Sequence, residues 1–308
     1  MDVEVHDLIL LRHQVGALEI GTKKRASSLM AGTQRSPFKG RGINFEEVRR
    51  YQPGDEIRHM DWRVTARTGE PHLKLFQEER ERPVIFVVDF TASMLFGTRV
   101  AFKSVIAARV ATLLAWAALA RGDRVGSLIF SDQGHQELRP RGGRSGVLRL
   151  TKGLADVHAE AKDGVASNQL GISPFAQALA RLSRAARPGS LIFFVSDFRN
   201  FDEQAMTYAR RMSVHQELMA LMVFDPIEAN PPPSGRYKVT DGIHYSDLDT
   251  TQQDVVTGYR NNFLERRSHI ENCCKKLRMG FVPIATNEPL LAVLQSGLHH
   301  VAMQRRHA

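Results

Sequence analysis

The chain has 308 residues, 43% hydrophobic and 24% charged, which suits one large α/β domain with an appendage, or two small domains, and does not demand long disorder. Its only cysteines, Cys273 and Cys274, are adjacent, which excludes a disulfide framework and agrees with a reducing, cytoplasmic compartment. The formal net charge is +9, and residues 23–82 hold 14 Lys/Arg against 9 Asp/Glu, so anionic partners (nucleic acid, lipid headgroups or an acidic protein) are the classes a basic surface favours.

Residues 5–18 carry Val5, Leu8, Ile9, Leu11, Val15 and Leu18 near helical spacing, which predicts an amphipathic helix. Residues 22–42 are polar and glycine-bearing and read as loop. Pro53-Gly54 is a turn signal, because proline presets the first turn dihedral and glycine accepts a positive φ. Strand-like alternation begins at residue 71.

From residue 83 the rhythm becomes strand, helix, strand, helix. Val84–Val88 is a continuous apolar run, as expected of a strand covered on both faces. Residues 100–120 predict a helix ending near Gly122, 124–130 a second strand, and 143–157 and 174–186 two helices. A third buried strand is expected at 190–198, a helix at 202–213, a fourth strand at 217–224 and a loop at 225–235. A short pair of strands over 236–246, a long helix over 250–278, a strand at 280–284 and a helix at 287–299 complete the chain. This alternation predicts a doubly wound α/β fold with a mostly parallel sheet and helices on both faces. The expected division is an N-terminal segment, 1–82, and a main domain, 83–303.

The best candidate for a membrane span, Val105–Ala120, carries Arg109 and is shorter than the roughly 20 residues a span needs. The N-terminus has acids where a signal peptide wants bases. The expectation is a cytoplasmic protein with no membrane span.

Two buried strands run into aspartate: Asp89 after "VIFVV" and Asp197 after "LIFFVS". Ligands of open parallel sheets sit outside the carboxyl ends of the strands. If these strands are neighbours, two carboxylates face one crevice; unpaired they repel, and a divalent cation removes the conflict. Hydroxyls follow at Thr91 and Ser93. Carboxylates and hydroxyls are hard oxygen donors that suit Mg²⁺ or Mn²⁺ in an octahedral shell completed by water. Asp89 and Thr91 taken singly also fit a helix cap or a satisfied turn, and Ser173 fits a cap for a helix beginning at Pro174. Cys273, Cys274 and His269 lack zinc-finger spacing.

The constellation resembles the metal-ion-dependent adhesion site of von Willebrand factor A-type domains. Asp89-Phe90-Thr91-Ala92-Ser93 matches its Asp-x-Ser-x-Ser, with threonine for the first serine. "GISPFAQAL" (171–179) is similar to the family's Gly-Gly-Thr-Asp-Leu-x-x-Ala-Leu stretch, which puts Ser173 at the threonine position and Pro174 where aspartate is usual. Asp197 matches the final aspartate. The segment "GRGINFEEVRRYQPGDEIRHMDWRVTAR" (40–67) resembles the signature of the bacterial family called domain of unknown function 58, DUF58, whose members carry it before a von Willebrand A-like domain. The matching positions include Phe45, Arg49, Tyr51, Pro53, Gly54, Asp55, Arg58, Asp61, Trp62, Ala66 and Arg67.

The resemblance implies a non-enzymatic protein–protein interaction module. Its metal ligands would be Asp89, Thr91, Ser93, Ser173 and Asp197, holding Mg²⁺ or Mn²⁺ with one coordination position open for a carboxylate from a partner protein. It also implies a MoxR-type AAA+ ATPase as partner, and the short form of the family without membrane helices. Arg58, Asp61, Trp62 and Arg67 are expected to form an ion-pair and stacking network fastening the N-terminal segment to the main domain, or else a docking surface.

Two other classes share part of this pattern. A phosphotransferase of the haloacid dehalogenase type also places an aspartate after its first strand with Mg²⁺, but needs a second aspartate two residues on, where this chain has Thr91. Nucleic-acid or membrane-surface binding would use the basic N-terminal segment, which shows no zinc finger and no aromatic-interleaved basic signature, so nucleic acid is not expected as a partner.

Overall fold

A computed structural model describes residues 2–17, 43–52, 57, 60–78, 81–164, 173–240 and 245–306 of the chain. The expected 22–42 loop, the Pro53-Gly54 turn, Arg58 and residues 171–172 lie outside them. The chain divides into two compact units, one of residues 1–21 with 82–308, the other of residues 22–81. The expected 1–82 segment therefore does not hold together as one body. Its first helix belongs to the larger unit, because Val3, Leu8 and Val15 are buried in that unit's core.

In the smaller unit, β1 (Ile43–Arg50) pairs antiparallel with β2 (His72–Glu78), with a bulge between Phe45 and Glu47. The sequence pattern does not predict β1. Between them lies the short helix α2 (Trp62–Thr68), closed by Gly69 at φ 74°, a left-handed conformation that glycine adopts at little cost.

The larger unit opens with α1 (Val5–Leu10), which continues as a 3-10 helix over Leu11–Ala17. Its sheet has six strands, β3 (Pro83–Asp89), β4 (Arg124–Phe130), β5 (His135–Arg141), β6 (Leu191–Ser196), β7 (Glu217–Phe224) and β10 (Gly280–Ala285), in the order β10-β7-β6-β3-β4-β5. All neighbours are parallel except the edge strand β5, which runs antiparallel to β4. A separate hairpin joins β8 (Arg236–Thr240) and β9 (Tyr245–Asp249).

The apolar runs become strands covered on both faces, and their alternate residues enter two different cores. Val84, Phe86 and Val88 face one layer, with α1, α3 (Lys103–Ala120), α4 (Arg144–Asp163) and α9 (Leu290–Arg306). Ile85 and Val87 face the other, with α5 (Pro174–Ala185), α6 (Glu203–Ser213) and α8 (Gln253–Lys276). Phe86 stacks on Phe193 of β6 with ring centroids 5.4 Å apart, and both are fully buried. The fold is thus the expected doubly wound, mostly parallel α/β sheet.

α3 is apolar on nearly every side and is enclosed accordingly. It is long and apolar enough to cross a membrane by length and composition, but 83% of that window is buried inside the fold. Four other elements differ from what the sequence predicts. β5 is not predicted by the sequence, because only Leu138 among its seven residues, HQELRPR, is a strand-forming apolar residue. Charged and proline residues are how an edge strand avoids pairing with another chain. The expected 225–235 loop contains a one-turn helix, α7 (Pro226–Ala229), closed by a capping box between Asp225 and Glu228. α4 and α9 run further than expected, to Asp163 and Arg306.

β3 is the point where the winding reverses. The chain moves outward from it through β4 and β5, then returns to β3's other side at β6 and moves outward through β7 and β10. Crossovers leave β3 and β6 in opposite directions, which opens a crevice at their carboxyl ends.

Candidate metal centre

Asp89 ends β3 and Asp197 follows β6. The two strands pair directly, with Val88 opposite Val195, so both carboxyl groups reach the switch-point crevice, and both are fully buried. Asp89 Oδ1 accepts from the Thr91 amide at 2.9 Å and the Thr91 hydroxyl at 2.7 Å, and its Oδ2 accepts from the Ser196 hydroxyl at 2.6 Å. Ser93 Oγ lies 3.4 Å from Thr91 Oγ1. The loop carrying these hydroxyls is a 3-10 turn, Ala92–Met94, pinned where the Ala92 amide donates to Asp132 Oδ2 at 2.7 Å. Further on, a Cβ at Gly97 would stand 2.2 Å from the Ala101 carbonyl oxygen, so only glycine fits where the loop folds back on itself.

Four of the five expected ligands, Asp89, Thr91, Ser93 and Asp197, are therefore together. Ser173 caps α5, accepting from the Ala176 amide at 3.1 Å. Its described contact runs to its own helix, as the capping alternative supposed. The start of α5 nonetheless lies beside the segment after Asp197, since the rings of Phe175 and Phe198 are 5.7 Å apart.

The sequence reading missed the cations. Lys103, the first residue of α3, is 1% exposed, and its Nζ donates to Asp197 Oδ2 at 2.7 Å and to Glu228 Oε1 at 3.2 Å. Arg199 donates its amide to Asp197 Oδ1 at 3.0 Å and its Nη2 to Glu228 Oε1 at 2.8 Å. Between Asp197 and Arg199 stands Phe198 at φ 56°, a left-handed conformation that a bulky residue rarely adopts, held by its amide donating to Ser196 Oγ at 2.9 Å.

Asp225, at the end of β7, ties the same rim. It accepts from the Thr98 amide and hydroxyl, at 3.0 and 2.6 Å, and from the Thr286 hydroxyl at 2.9 Å. Asp132 and Asp225 carried the same signal as Asp89 and Asp197, an apolar strand running into aspartate, "SLIFSD" and "LMVFD". Lys103 had no such signal, since it opens an apolar helix.

Burial pushes the Asp89 carboxyl up to about 7, and the nearby charge of Asp197 adds to it, against the Ser196 and Thr91 hydrogen bonds. Asp197 is also penalised by burial, yet the Lys103 ammonium, with the Arg199 amide and Ser93 hydroxyl, holds it below the ordinary carboxylate range. One carboxylate is thus neutralised from within the protein, and the other meets no cation among the described residues. That imbalance, beside two hydroxyls, fits a divalent ion held by hard oxygen donors and few carboxylates. Among the described residues no three His, Cys, Asp or Glu side chains gather in a metal-holding cluster, so such an ion would depend on the hydroxyls. Cys273 and Cys274 are free and buried, and His269 Nε2 stands 3.7 Å from Cys273 Sγ.

In the smaller unit, Asp61 caps α2, accepting from the amides of Arg63 and Val64 at 3.1 and 3.2 Å. Trp62 is 67% exposed. Within the described residues Asp61 is thus engaged locally, and the indole of Trp62 faces largely outward.

Residues 47–269 match the family model described as protein of unknown function DUF58. Uncharacterized proteins of Mycobacterium bovis and Mycobacterium tuberculosis are 30% identical over 224 residues, which covers 73% of this chain and 68% of theirs. Among solved structures, a conserved hypothetical protein BatB from Bacteroides thetaiotaomicron aligns with a TM-score of 0.44 at 14% identity, over 72% of this chain and 99% of that one. The manganese-loaded TRAP protein of Plasmodium vivax aligns with a TM-score of 0.30 at 13% identity, over 46% of this chain and 56% of that one.

Proposed function

The chain belongs to the DUF58 family, and we propose that it is a non-enzymatic interaction module of the von Willebrand A type that binds a protein partner through Mg²⁺ at the β3–β6 crevice. One observation carries this reading: Asp89 is fully buried, has no cationic side chain bonded to it among the described residues, and sits beside the Thr91 and Ser93 hydroxyls at the switch point. Asp89, Thr91, Ser93 and Asp197 would hold the ion, with Ser173 reaching it from the start of α5. Mn²⁺ would fit the same donors.

The ion would supply an electrophilic position for a carboxylate from the partner. The chain's own residues do the rest. Thr91 and Ser196 orient Asp89, Lys103 and Arg199 fix Asp197, and Asp132 and Asp225 hold the loop on which the hydroxyls stand. Because Lys103 already offsets Asp197, few carboxylate charges face the ion, which keeps it able to accept an anionic ligand.

The family resemblance points to a MoxR-type AAA+ ATPase as the partner, in complex assembly or maturation. The reduced, adjacent Cys273 and Cys274 suit a cytoplasmic setting. Affinity capture of partners from a cell lysate, in Mg²⁺ and then in EDTA, tests the reading. It expects capture in Mg²⁺ that is lost in EDTA and lost with Asp89→Ala; equal capture in both conditions would contradict it. Haloacid dehalogenase-type phosphotransfer is disfavoured by Thr91, which stands where that chemistry needs an acid and donates its hydroxyl to Asp89.

A further inference from the structure

A cavity of about 240 Å³ opens next to this site, lined by Arg199, Glu228, Tyr259, Asn262, Phe263 and Arg266. Four of these, Tyr259, Asn262, Phe263 and Arg266, recur at helical spacing on one face of α8. Arg199 comes from the turn after β6 and Glu228 from α7.

Glu228, with a side chain 6% exposed, meets three cations among the described residues: Arg199 at 2.8 Å, Lys103 at 3.2 Å and Arg266 at 3.6 Å. The most weakly held of them is Arg266. Its Nη2 reaches Glu228 only at 3.6 Å, its guanidinium lies over the Phe263 ring 5.5 Å from the centroid, and its Nε is buried with no hydrogen-bond partner among the described residues. A buried unpaired donor on a charged group is costly and calls for a partner. The left-handed turn at Phe198 carries Arg199 to the same wall, with its side chain about half exposed.

We propose that this cavity is a carboxylate-binding site that works without a metal, in which Arg266 grips one carboxylate through its two Nη donors and Arg199 closes over it. A guanidinium fork matches the two oxygens of a carboxylate. The acidic wall selects the charge at the point of contact: one carboxylate group brings a single negative charge beside Glu228 and Asp197, whereas a dianionic phosphate group brings two. The carboxylate comes either from an acidic side chain of a protein partner or from a free small acid. The site stands apart from the Mg²⁺ reading and would survive its failure.

Calorimetric titration of the full chain in EDTA tests it, with glutarate, inorganic phosphate and an acidic, C-terminally amidated hexapeptide at matched ionic strength. Glutarate binds the wild type, while Arg266→Met abolishes binding. Arg266→Lys, which keeps the charge and loses the fork, weakens it roughly tenfold, and a thermal melt of each free variant confirms that it is folded. A hexapeptide that binds more tightly than glutarate marks a partner's side chain as the source; tighter glutarate marks a free acid, and both sustain the site. Absence of glutarate binding to the wild type, equal binding by Arg266→Met, or tighter binding of phosphate overturns it.

Discussion

Lys103→Met tests the ion network behind the crevice. The substitution keeps the length of the side chain and removes the ammonium that joins Asp197 at 2.7 Å to Glu228 at 3.2 Å, where all three side chains are at most 6% exposed. Glu228 keeps the guanidiniums of Arg199 and Arg266. Among the described residues Asp197 keeps the Arg199 amide and Arg199 Nε at 3.6 Å, on a side chain that is half exposed. Removing one partner of a buried pair strands the other's charge and costs roughly 3–5 kcal/mol. For a domain of this size that is a fall of about 2–4 °C in Tm per kcal/mol, or roughly 6–20 °C in all. Thermal unfolding in EDTA measures it. Lys103→Met/Asp197→Asn, which removes both charges, recovers most of the loss, and Mg²⁺ stabilises the single variant more than the wild type because Asp197 is then free to draw the ion. A single variant within a degree or two of the wild type would refute a buried pair between Lys103 and Asp197.

Stability depends on pH through Asp89. Its folded-state pKa, about 7, lies above its ordinary value of 3.8, so between those values the folded state holds the extra proton and stability falls as pH rises, by on the order of 4 kcal/mol. Melts from pH 5 to 8 in EDTA are expected to show this decline in the wild type and not in Asp89→Asn; parallel profiles would contradict it. Phe86→Ala opens a hole in the centre of the sheet where the ring stacks on Phe193, and urea denaturation is expected to show a loss of roughly 3–5 kcal/mol. Asp61→Ala removes the cap of α2 and is expected to cost about 1 kcal/mol locally, read as faster amide exchange over Trp62–Thr68 than in the wild type.

The strands of the main sheet and their end-on carboxylates could be read from the chain because a strand covered on both faces is a run of apolar residues that ends abruptly at the rim. Asp89 and Asp197 stand out for that reason, and their adjacency follows from the winding order. β5 could not be read in the same way: an edge strand with half-buried positions needs no apolar run, and HQELRPR has none. Lys103 was hidden for a different reason. An isolated cation at the start of an apolar helix looks like a solvated end, and only the fold reveals that Asp197 and Glu228, 94 and 125 residues away, converge on it. Ser173 shows the limit of motif matching: the position matches, while its described hydrogen bond serves the helix it caps. The α8 face that lines the arginine cavity is written in the sequence as Tyr259, Asn262, Phe263 and Arg266, but mixed aromatic and polar residues at that spacing also describe an ordinary half-buried helix.

Calorimetric titration of Mg²⁺ into the metal-free protein at pH 8, where Asp89 is ionised, bears most directly on the central claim. The account predicts a single site in the wild type that weakens as pH falls below about 7, and that is lost in a folded Asp89→Ala variant. Identical Mg²⁺ binding by wild type and variant, or none by the wild type at millimolar ion, would contradict it.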